Sequence, residues 1–436
     1  MAETSLTRTF TTDNSNVYKW TYSVWVKRSG LGADQAITAP TASGTIQGRI
    51  LFRSDDQLEV YDYRNGYILQ KKTNRQFRDT SAWYHIVVSN DNSVSSPDTK
   101  IYINGVEETS FAIDNEYPQN ETNTFNSNIA NYIGTYSTGD YFSGSMSHFH
   151  FIDGTAYDAT AFGEYDANGV WTINTSPSVT YGTNGFFILK DGNSVTDQSG
   201  NGNNFTVGIG TLTKTEDSPS NVFATMNALQ YSPNTTFSNG NNVVTQSVGG
   251  NGARRFTSSL GASSGKYYWE TKITGTVNGM TFGIVDGVEG DYNNYVGYKS
   301  KEVGYEKDGV IYKNAVITDT GFAVLVLNDI VNHALDLDNG YIYFGVNGTW
   351  QNSGVPTSGA TGTGGFSITA DTLYHPAVSA FANTGQISFN FGNGYFGTTA
   401  VSSAQNPDDG IGIFVYDVPA GYYALNTKAI NAQEYD

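Results

Sequence analysis

The chain has 436 residues, of which 14% are aromatic and none is cysteine, and its formal net charge at pH 7 is −18. The lack of cysteine excludes disulfides, thiolate metal sites and cysteine nucleophiles, and the excess of carboxylates repels phosphate backbones, so we expect no nucleic-acid partner. No apolar stretch is long enough to span a bilayer and the first residues lack an apolar leader, so we expect synthesis in a cytoplasm and no membrane insertion.

Short apolar–polar alternations separated by turn residues run through the chain, and no convincing helical periodicity exceeds about three turns. The pattern predicts an all-β fold. The family resemblances described below imply that it contains two jelly-roll-like β-sandwich domains joined by a polar linker. The predicted segments are residues 1–215, a linker at 216–245, a second sandwich at 246–397 and a C-terminal extension at 398–436.

The first clear strand is residues 18–27, where Tyr22 and Val24 belong to an apolar face and Trp25 stands on the polar face. A ring as large as Trp25 at a strand centre is unusual unless something covers it. We predict a cover from the same chain, around residues 181–205. Alternatively the core continues on both sides of this strand. If Trp25 is instead exposed, it becomes a candidate ligand contact.

Two hairpins are predicted in this half, with turns at Asn65-Gly66 and Asn104-Gly105. The first contains the one basic run of the chain, Arg64 to Arg78. We interpret this run as the solvent face of the hairpin. The alternative is a docking patch for an acidic neighbour.

Three blocks follow the aromatic strand in a fixed order: WYHIVVSND (83–91), TKIYINGVEE (99–108) and NYIGTYSTGDYFSGSMSHFHFIDG (131–154). Together they resemble the laminin G-like, concanavalin A-like jelly-roll domain, over about residues 5–190. The resemblance implies a jelly roll with a trailing segment, and members of this kind often hold calcium at the rim of the sandwich.

The trailing segment resembles a run found in virion proteins of tailed bacteriophages. The matching stretches are AYDATAFGEYDANGVW (156–171), YGTNGFFILK (181–190), DQSGNGNNFT (197–206), DSPSN (217–221) and IGIFVYDVPAGYYALNTKAI (411–430). The resemblance implies a protein on the outside of a phage particle, with other virion proteins as partners.

In the second half, Asn339-Gly340 predicts a two-residue type I′ hairpin turn. That turn would pair Asp336 with Tyr343 and place Leu335 on the buried face. The apolar run 322–327 before it predicts a strand buried on both faces, and Asn347-Gly348 after it predicts a second turn.

The stretch ALDLDNGYIYFGVNG (334–348) resembles the core of the SPRY domain. GKYYWETKI (265–273), MTFGIVDG (280–287), VGYKS (296–300) and YHPAVSAF (374–381) match further strands of that family in order, over about residues 245–395. SPRY domains bind partners through loops at one end of the sandwich and share no catalytic residue. The resemblance therefore implies binding.

No catalytic pattern is evident. Laminarinase-type enzymes of the concanavalin fold place carboxylates on one strand as E-x-D-x-E or E-x-D-x-x-E, and none of the E-x-D sequences here has the second Glu. His148 and His150 lie two apart on one strand, but no third metal ligand follows, and we interpret them as solvated polar residues. No histidine adjoins a candidate nucleophile in sequence. We therefore expect a protein that is not an enzyme, with a glycan-degrading enzyme as the least favoured alternative.

Candidate binding residues lie in loops. Four aspartates in polar loops, Asp55, Asp56, Asp140 and Asp197, are candidate calcium ligands, although Asx turns explain them equally well. Exposed aromatic rings beside amides suit sugar stacking. The candidates for that role are Tyr292, Asn293, Tyr295, Trp350 and Trp25, although such rings often cap their own sandwich instead.

The function predicted from these features is non-enzymatic binding of host glycans or proteins at a phage virion surface. The protein would be a tail fibre, a receptor-binding protein or a capsid-exposed fibre. A head decoration protein on the capsid lattice is the alternative, because neither coiled-coil heptads nor β-helix repeats of a fibre shaft are evident. We also expect a homo-oligomer, since symmetric particles favour multivalent attachment.

Overall fold

A computed structural model describes residues 3–137, 139–190, 194–229, 235–246, 253–276, 279–287, 293–381 and 385–434. The chain divides into two compact units, Met1–Lys214 and Thr215–Asp436. Each is a β-sandwich, which confirms the predicted all-β fold with two sandwich domains. In the described ranges no helix is long and apolar enough to cross a membrane.

The first unit contains one short 3-10 helix, Ala159–Ala161, and the strands of two large sheets and one small hairpin. Its strands are β1 (Ser5–Thr9), β2 (Lys19–Arg28), β3 (Gln35–Ser43), β4 (Ile46–Phe52), β5 (Gln57–Arg64), β6 (Tyr67–Gln76), β7 (Tyr84–Asp91), β8 (Asp98–Ile103), β9 (Val106–Glu107), β10 (Phe111–Asn115), β11 (Ala130–Ile133), β12 (Gly144–Asp153), β13 (Gly163–Tyr165), β14 (Trp171–Ile173), β15 (Phe186–Ile188) and β16 (Thr206–Ile209).

An eight-stranded sheet, in the order β10-β6-β5-β4-β3-β11-β1-β16, faces a six-stranded sheet, in the order β15-β12-β2-β7-β8-β9. The core between them takes alternate residues of each strand, as the period-two pattern requires. Trp20, Tyr22, Val24 and Val26 of β2 all lie in it. The predicted turn at Asn104-Gly105 is confirmed: it joins β8 to β9, with φ angles of 49° and 81°.

The second unit contains the 3-10 helices Gln351–Ser353 and Pro356–Thr361, one α-helix and a further set of strands. These elements are β17 (Thr235–Ser238), β18 (Val243–Gln246), β19 (Ala253–Thr257), β20 (Lys266–Ile273), β21 (Thr281–Asp286), β22 (Val303–Glu306), β23 (Val310–Lys313), β24 (Val316–Thr320), β25 (Ile330–Asp336), β26 (Tyr341–Val346), β27 (Thr349–Trp350), β28 (Phe366–Ser367), β29 (Tyr374–Phe381), β30 (Gly385–Asn390), β31 (Tyr395–Phe396), β32 (Thr399–Ala400), β33 (Tyr423–Ala424) and α1 (Thr427–Glu434).

One sheet of this unit runs β17-β18-β30-β20-β25-β26-β27, with β28 beside β26 and β33 beside β20, and the other runs β19-β29-β21-β22-β23-β24. Residues of both sheets meet in one core, which includes Trp269, Phe282 and Phe344. The predicted turn at Asn347-Gly348 is confirmed between β26 and β27, with φ angles of 50° and 80°.

The hairpin of β25 and β26 has the predicted strands but not the predicted loop. Asp336 pairs with Tyr341 rather than Tyr343, so the loop is the four residues 337–340 rather than two. Gly340 has a φ of 78°, whereas Asn339 keeps a negative φ and donates its backbone N–H and its side-chain amide to the Asp336 carboxylate, each at 2.9 Å. The register differs from the prediction by two residues, and an even shift leaves every side chain on its predicted face.

The predicted strand at 322–327 is wrong. This segment crosses the turn between β22 and β23, where the Leu325 N–H donates to the Lys307 carbonyl at 2.8 Å. Leu325 reaches the core, but Val324 and Val326 are 61% and 57% exposed. A run of apolar residues does not distinguish a strand buried on both faces from a segment that buries alternate residues.

Residues 216–245, expected to be a polar linker, are part of the second unit. Met226 and Val244 lie in its core, and β18 continues the larger sheet by pairing with β30. The C-terminal extension also packs on this unit. Phe414 and Tyr422 lie against Tyr268 on the outer face of the larger sheet, the face turned away from the core.

Glu270 of β20 fixes the C-terminal segment, residues 411–424, to that outer face. Its carboxylate is fully buried and accepts hydrogen bonds from the backbone N–H groups of Val415 and Tyr416 at 3.0 and 2.9 Å. The Tyr268 hydroxyl and the Asn390 amide also donate to it, at 3.1 and 3.3 Å. Burial raises the pKa of Glu270, and these four donors oppose that rise.

We expect Gly340→Val to destabilise the second unit by about 1–3 kcal/mol, because a β-branched residue is strained at a φ of 78°. Gly340→Asn should have a much smaller effect, since Asn tolerates this conformation. Urea unfolding measures both variants. Equal stability of the Val variant and the wild type would contradict the observed turn.

We expect Glu270→Ala to release residues 411–424 and to destabilise the second unit by about 2–4 kcal/mol, because it leaves buried N–H donors without an acceptor. Asp408→Ala is the matched control, since this exposed carboxylate accepts one N–H of the same region, from Gly421. Hydrogen exchange of the segment and urea unfolding give the two readouts. If the two variants behave alike, Glu270 does not anchor the segment.

Candidate functional site

Trp25, a candidate ligand contact, is buried on the outer face of the six-stranded sheet, the face against which residues 155–181, here named the cover segment, pack. Trp25 is 4% exposed and stacks on His85, with ring centroids 4.7 Å apart. Phe162 and Trp171 of the cover segment pack in one apolar cluster with Val87 of the sheet. The segment that packs on this outer face lies mainly before the predicted 181–205 stretch. Trp25 is buried and offers no surface for a ligand.

His85 is held between the sheet and the cover segment. The indole Nε1–H of Trp171 donates to His85 Nδ1 at 3.0 Å, and His85 Nε2 lies 2.9 Å from Ser23 Oγ. Because an indole only donates, Nδ1 must be the acceptor and Nε2 must carry the proton. Ser23 is thus the acceptor of a hydrogen bond from His85, and His85 cannot serve as its general base.

His150 makes the second polar contact between sheet and cover segment. Its Nδ1 lies 2.9 Å from the Tyr181 hydroxyl, and its ring stacks on Phe187 at 3.9 Å. A β-bulge between Ser147 and His150 separates it from His148, which adopts a φ of 48°. The prediction that both histidines are solvated is wrong for His150, which is 1% exposed. Nowhere in the described ranges do three or more His, Asp or Glu residues come together to suit a metal ion.

The candidate calcium ligands are occupied by partners within their own unit. Asp56 forms ion pairs with two arginines, and Asp197 accepts from backbone N–H groups on both sides of a loop. The contacts are Asp55 with Lys72 at 2.5 Å, Asp56 with Arg28 at 3.1 Å and Arg78 at 3.0 Å, Asp140 with Arg49 at 2.7 Å, and Asp197 with the N–H groups of Phe187, Ser199 and Asn203 at 2.8, 2.9 and 2.8 Å.

The same ion pairs account for the basic run at 64–78. Lys72 and Arg78 pair with the aspartates just named, Arg75 pairs with Glu108 at 2.8 Å, and Lys71 is buried beside Asp114 and Glu116. These cations are therefore matched by carboxylates of the first unit. Such matching argues against the alternative of a basic docking patch.

A row of aromatic rings that the sequence analysis missed lies on the outer face of the eight-stranded sheet. Tyr67, which is 55% exposed, lies 5.5 Å from Tyr61 and 5.2 Å from Tyr63. The row continues through Arg49, whose guanidinium lies 5.8 Å from Tyr61 and 3.2 Å from the ring of Tyr136. The alternation of tyrosine with Asp62 in YDYRNGY (61–67) was the available signal.

The second unit has a cluster of three tyrosines at its surface. Tyr295 lies 5.5 Å from Tyr298 and 4.8 Å from Tyr312. Tyr298 is 42% exposed, and Tyr295 is half-buried, which raises the pKa of its hydroxyl. Beside the rings, the amide oxygen of Asn293 accepts from Arg254 at 2.9 Å. We name Asn293, Tyr295, Tyr298 and Tyr312 the tyrosine surface.

The structure brings only part of the predicted sugar site together. Tyr295 and Asn293 belong to the tyrosine surface, and Tyr292 lies outside the described residues. Trp350 belongs to β27 in the other sheet, where it packs edge-on against Tyr268 at 6.5 Å. Proximity in sequence to a turn could not show that Trp350 packs in the layer of the C-terminal segment.

A buried ion pair positions the loop that carries Tyr295 and Tyr298. Arg255 of β19 pairs with Glu302, and both side chains are at most 2% exposed. Glu302 also accepts from the N–H groups of Gly297 and Lys299, at 3.1 and 3.2 Å. Val296 packs in a small outer-face cluster with residues of β21 and β29. The loop is thus held in place both by its hydrogen bonds to Glu302 and by the apolar contacts of Val296.

Glycine lets this loop approach the sheet beside Tyr312. A Cβ at Gly304 would lie 2.2 Å from the carbonyl oxygen of Val296, and one at Gly297 would lie 2.5 Å from that of Tyr312. Glu306 follows two residues after Gly304 and therefore points to the same face of the sheet. Burial raises the pKa of Glu306. The surface thus combines aromatic rings with an amide and a carboxylate, the groups that bind sugar rings and hydroxyls.

Comparison with known families supports both domain resemblances. Residues 4–160 match the Laminin_G_3 family, described as the concanavalin A-like lectin/glucanases superfamily, and residues 266–394 match the SPRY domain. A search of curated proteins finds no match.

Solved structures resemble part of the chain. The SPRY domain of human HERC1 is 21% identical, covering 36% of this chain and 91% of that chain, with a TM-score of 0.28. The PSpry domain of TRIM65 is 13% identical, with coverage of 38% and 91% and a TM-score of 0.31. Domain 4 of AbnA, a GH43 extracellular arabinanase from Geobacillus stearothermophilus in complex with arabinotriose, is 18% identical, with coverage of 34% and 64% and a TM-score of 0.27. These scores are too low to inform on the ligand of this chain. Its two units thus match a concanavalin A-like domain and a SPRY domain, types that suggest binding or carbohydrate-related roles.

Proposed function

We propose that this protein binds carbohydrate through the tyrosine surface of its second unit and does not hydrolyse it. The observation that carries the proposal is the contact of Tyr295 with both Tyr298 and Tyr312 at a partly exposed surface. Stacking on such rings favours the apolar faces of sugars. The Asn293 amide and the Glu306 carboxylate supply polar groups for sugar hydroxyls.

The proposed setting is the virion surface of a tailed bacteriophage. Support comes from the stretches at 156–206, 217–221 and 411–430, which resemble phage virion proteins. The ligand would then be a host-surface glycan. A tail fibre or receptor-binding protein and a head decoration protein remain the two proposed placements, with other virion proteins as partners in both.

The aromatic row of the first unit is a second place where a glycan could stack. It exposes Tyr67, whose ring packs against Tyr61 and Tyr63. Several copies arranged in a closed symmetric oligomer would multiply weak contacts of this kind. Sedimentation of the protein as a monomer at high concentration would count against self-assembly.

We expect Tyr298→Ala and Tyr295→Ala each to weaken glycan binding about tenfold, which corresponds to about 1.4 kcal/mol. An array of bacterial surface glycans identifies a ligand, and calorimetry with that ligand measures each variant. Tyr67→Ala is the matched control, because it removes an exposed ring from the other unit. If Tyr67→Ala abolishes binding while the two other variants bind normally, the site lies on the first unit and the proposal fails.

We expect no hydrolysis of the same glycans. The E-x-D sequence at Glu306 lies at the turn between β22 and β23, and its carboxylate accepts the Asp308 N–H at 2.8 Å instead of facing a second glutamate. Release of new reducing ends is the measurement. Product formation that disappears in Glu306→Gln, or in another single carboxylate variant, would show an enzyme.

A further inference from the structure

The cover segment is joined to the sandwich by two buried histidines. His85 accepts the Trp171 indole N–H at 3.0 Å, and His150 Nδ1 lies 2.9 Å from the Tyr181 hydroxyl. In each pair the histidine stands on the outer face of the six-stranded sheet and its partner belongs to the cover segment. Both histidines are 1% exposed.

Trp171 fits closely against the turn between β8 and β9. A Cβ at Gly105 would lie 2.4 Å from its ring, and a Cβ at Gly163 would lie 2.6 Å from it. These two glycines create the space in which the indole reaches His85. The hydrogen bond between Trp171 and His85 therefore forms only when the cover segment packs closely against the sheet.

Protonation is incompatible with this arrangement at His85. The imidazolium form carries protons on both nitrogens, so its Nδ1–H would face the Trp171 N–H, and two donors cannot share a hydrogen bond. His85 would also become a charge beneath an apolar cluster. Burial also lowers the pKa of His85 to about 3.

The charged groups around His150 oppose its protonation as well. Burial lowers its pKa well below the ordinary value, and a positive charge on His148, His85 or Lys190 lowers it further. The other groups that face the two histidines are Ser23, Trp171 and Tyr181, none of them anionic at neutral pH. Asp197 influences Tyr181 but is not among the groups that act on either histidine.

We propose that the cover segment is released by acid: protonation of His85 and His150 lifts residues 155–181 from the outer face of the six-stranded sheet while the sandwich beneath stays folded. Release exposes Val87 together with the rings of His85 and His150, so the protein would present a new face in acid surroundings.

The selectivity for this layer follows from where histidine occurs. All three histidines of the first unit, His85, His148 and His150, lie on β7 or β12 within the six-stranded sheet. None belongs to the main core between the two sheets, which is built from apolar side chains. Acid therefore acts on the outer layer through these residues and leaves the inner core without a titrating imidazole.

The direction of the pH dependence follows from the lowered pKa. A released histidine regains an ordinary pKa of about 6.5 and binds a proton. The covered His85 stays neutral down to about pH 3, and the pKa of the covered His150 also lies well below its ordinary value. The closed state is thus fully favoured above about pH 6.5 and loses stability as the pH falls below it. For each pH unit below about 6.5, each histidine shifts the equilibrium between the closed and the released cover segment about tenfold towards release, so the pair shifts it about 100-fold.

Hydrogen exchange of the full chain between pH 7 and pH 4, corrected for the intrinsic exchange rate, tests the proposal. We expect the open fraction of residues 155–181 to rise by up to about 100-fold per pH unit, while β2 and β7 stay protected. His85→Gln and His150→Gln should each reduce the dependence to about tenfold, and the double variant should abolish it. Glutamine at position 85 can still accept from Trp171 and donate to Ser23.

His333→Gln is the matched control, because His333 is equally buried but lies in the second unit, and it should leave the dependence of residues 155–181 unchanged. A pH dependence that survives in the double variant would overturn the proposal. So would β2 and β7 opening together with the cover segment, because that result means global unfolding. If the variants do not fold, nitrogen NMR of the wild type decides: a folded His85 that titrates near pH 6.5 would refute the proposal.

Discussion

Each sheet of a β-sandwich has an outer face, which points away from the core between the sheets. The need to bury large side chains on these outer faces is the constraint on which the rest of the structure depends. Large side chains stand on the outer faces of three of its sheets, so a third layer must bury them. In the first unit this layer is residues 155–181 over Val87 and Ile152. In the second unit, residues 411–424 cover one sheet and the loop 293–302 covers the other.

Each added layer is fixed by a buried polar group with many partners. His85 accepts a hydrogen bond from the Trp171 indole N–H. Glu270 accepts hydrogen bonds from two backbone N–H groups. Glu302 forms an ion pair with Arg255 and accepts hydrogen bonds from two further backbone N–H groups. An unpaired polar group in such a place would be costly, so the layer can adopt few other positions. The positions of the rings in the tyrosine surface depend on these contacts, because Tyr295 and Tyr298 lie on the loop that Glu302 holds in place.

The period-two pattern was sufficient to predict the strands that face a core. It identified β2, β25 and β26, and it assigned their faces correctly even where the loop at 337–340 has a different length. It could not identify the covering layers. The alternation predicts that Glu270 faces solvent. Its side chain is buried instead, because it accepts hydrogen bonds from N–H groups that lie 145 and 146 residues further along the chain.

Composition misleads for a related reason. Residues 216–245 are polar enough to suggest a linker, yet a short strand needs only one partner edge and a few apolar side chains, which β30 and the core around Met226 provide. Conversely, the apolar run 322–327 suggests a buried strand, although its N–H groups bond across a turn. In both segments the outcome depends on distant partners, which local pattern does not encode.

The layer at 411–424 and the cover segment differ in how they respond to pH, and this difference follows from the residue that anchors each of them. Glu270 has a raised pKa, so acid neutralises a carboxylate whose burial was unfavourable, and the segment at 411–424 keeps its other contacts. His85 and His150 have lowered pKa values, so acid adds charge where the covered state has no counter-ion. Acid therefore acts in opposite ways on the Glu270 anchor and on the two histidine anchors. Buried neutral imidazoles at the junction of two layers are sufficient for that behaviour, without any change in the sandwich itself.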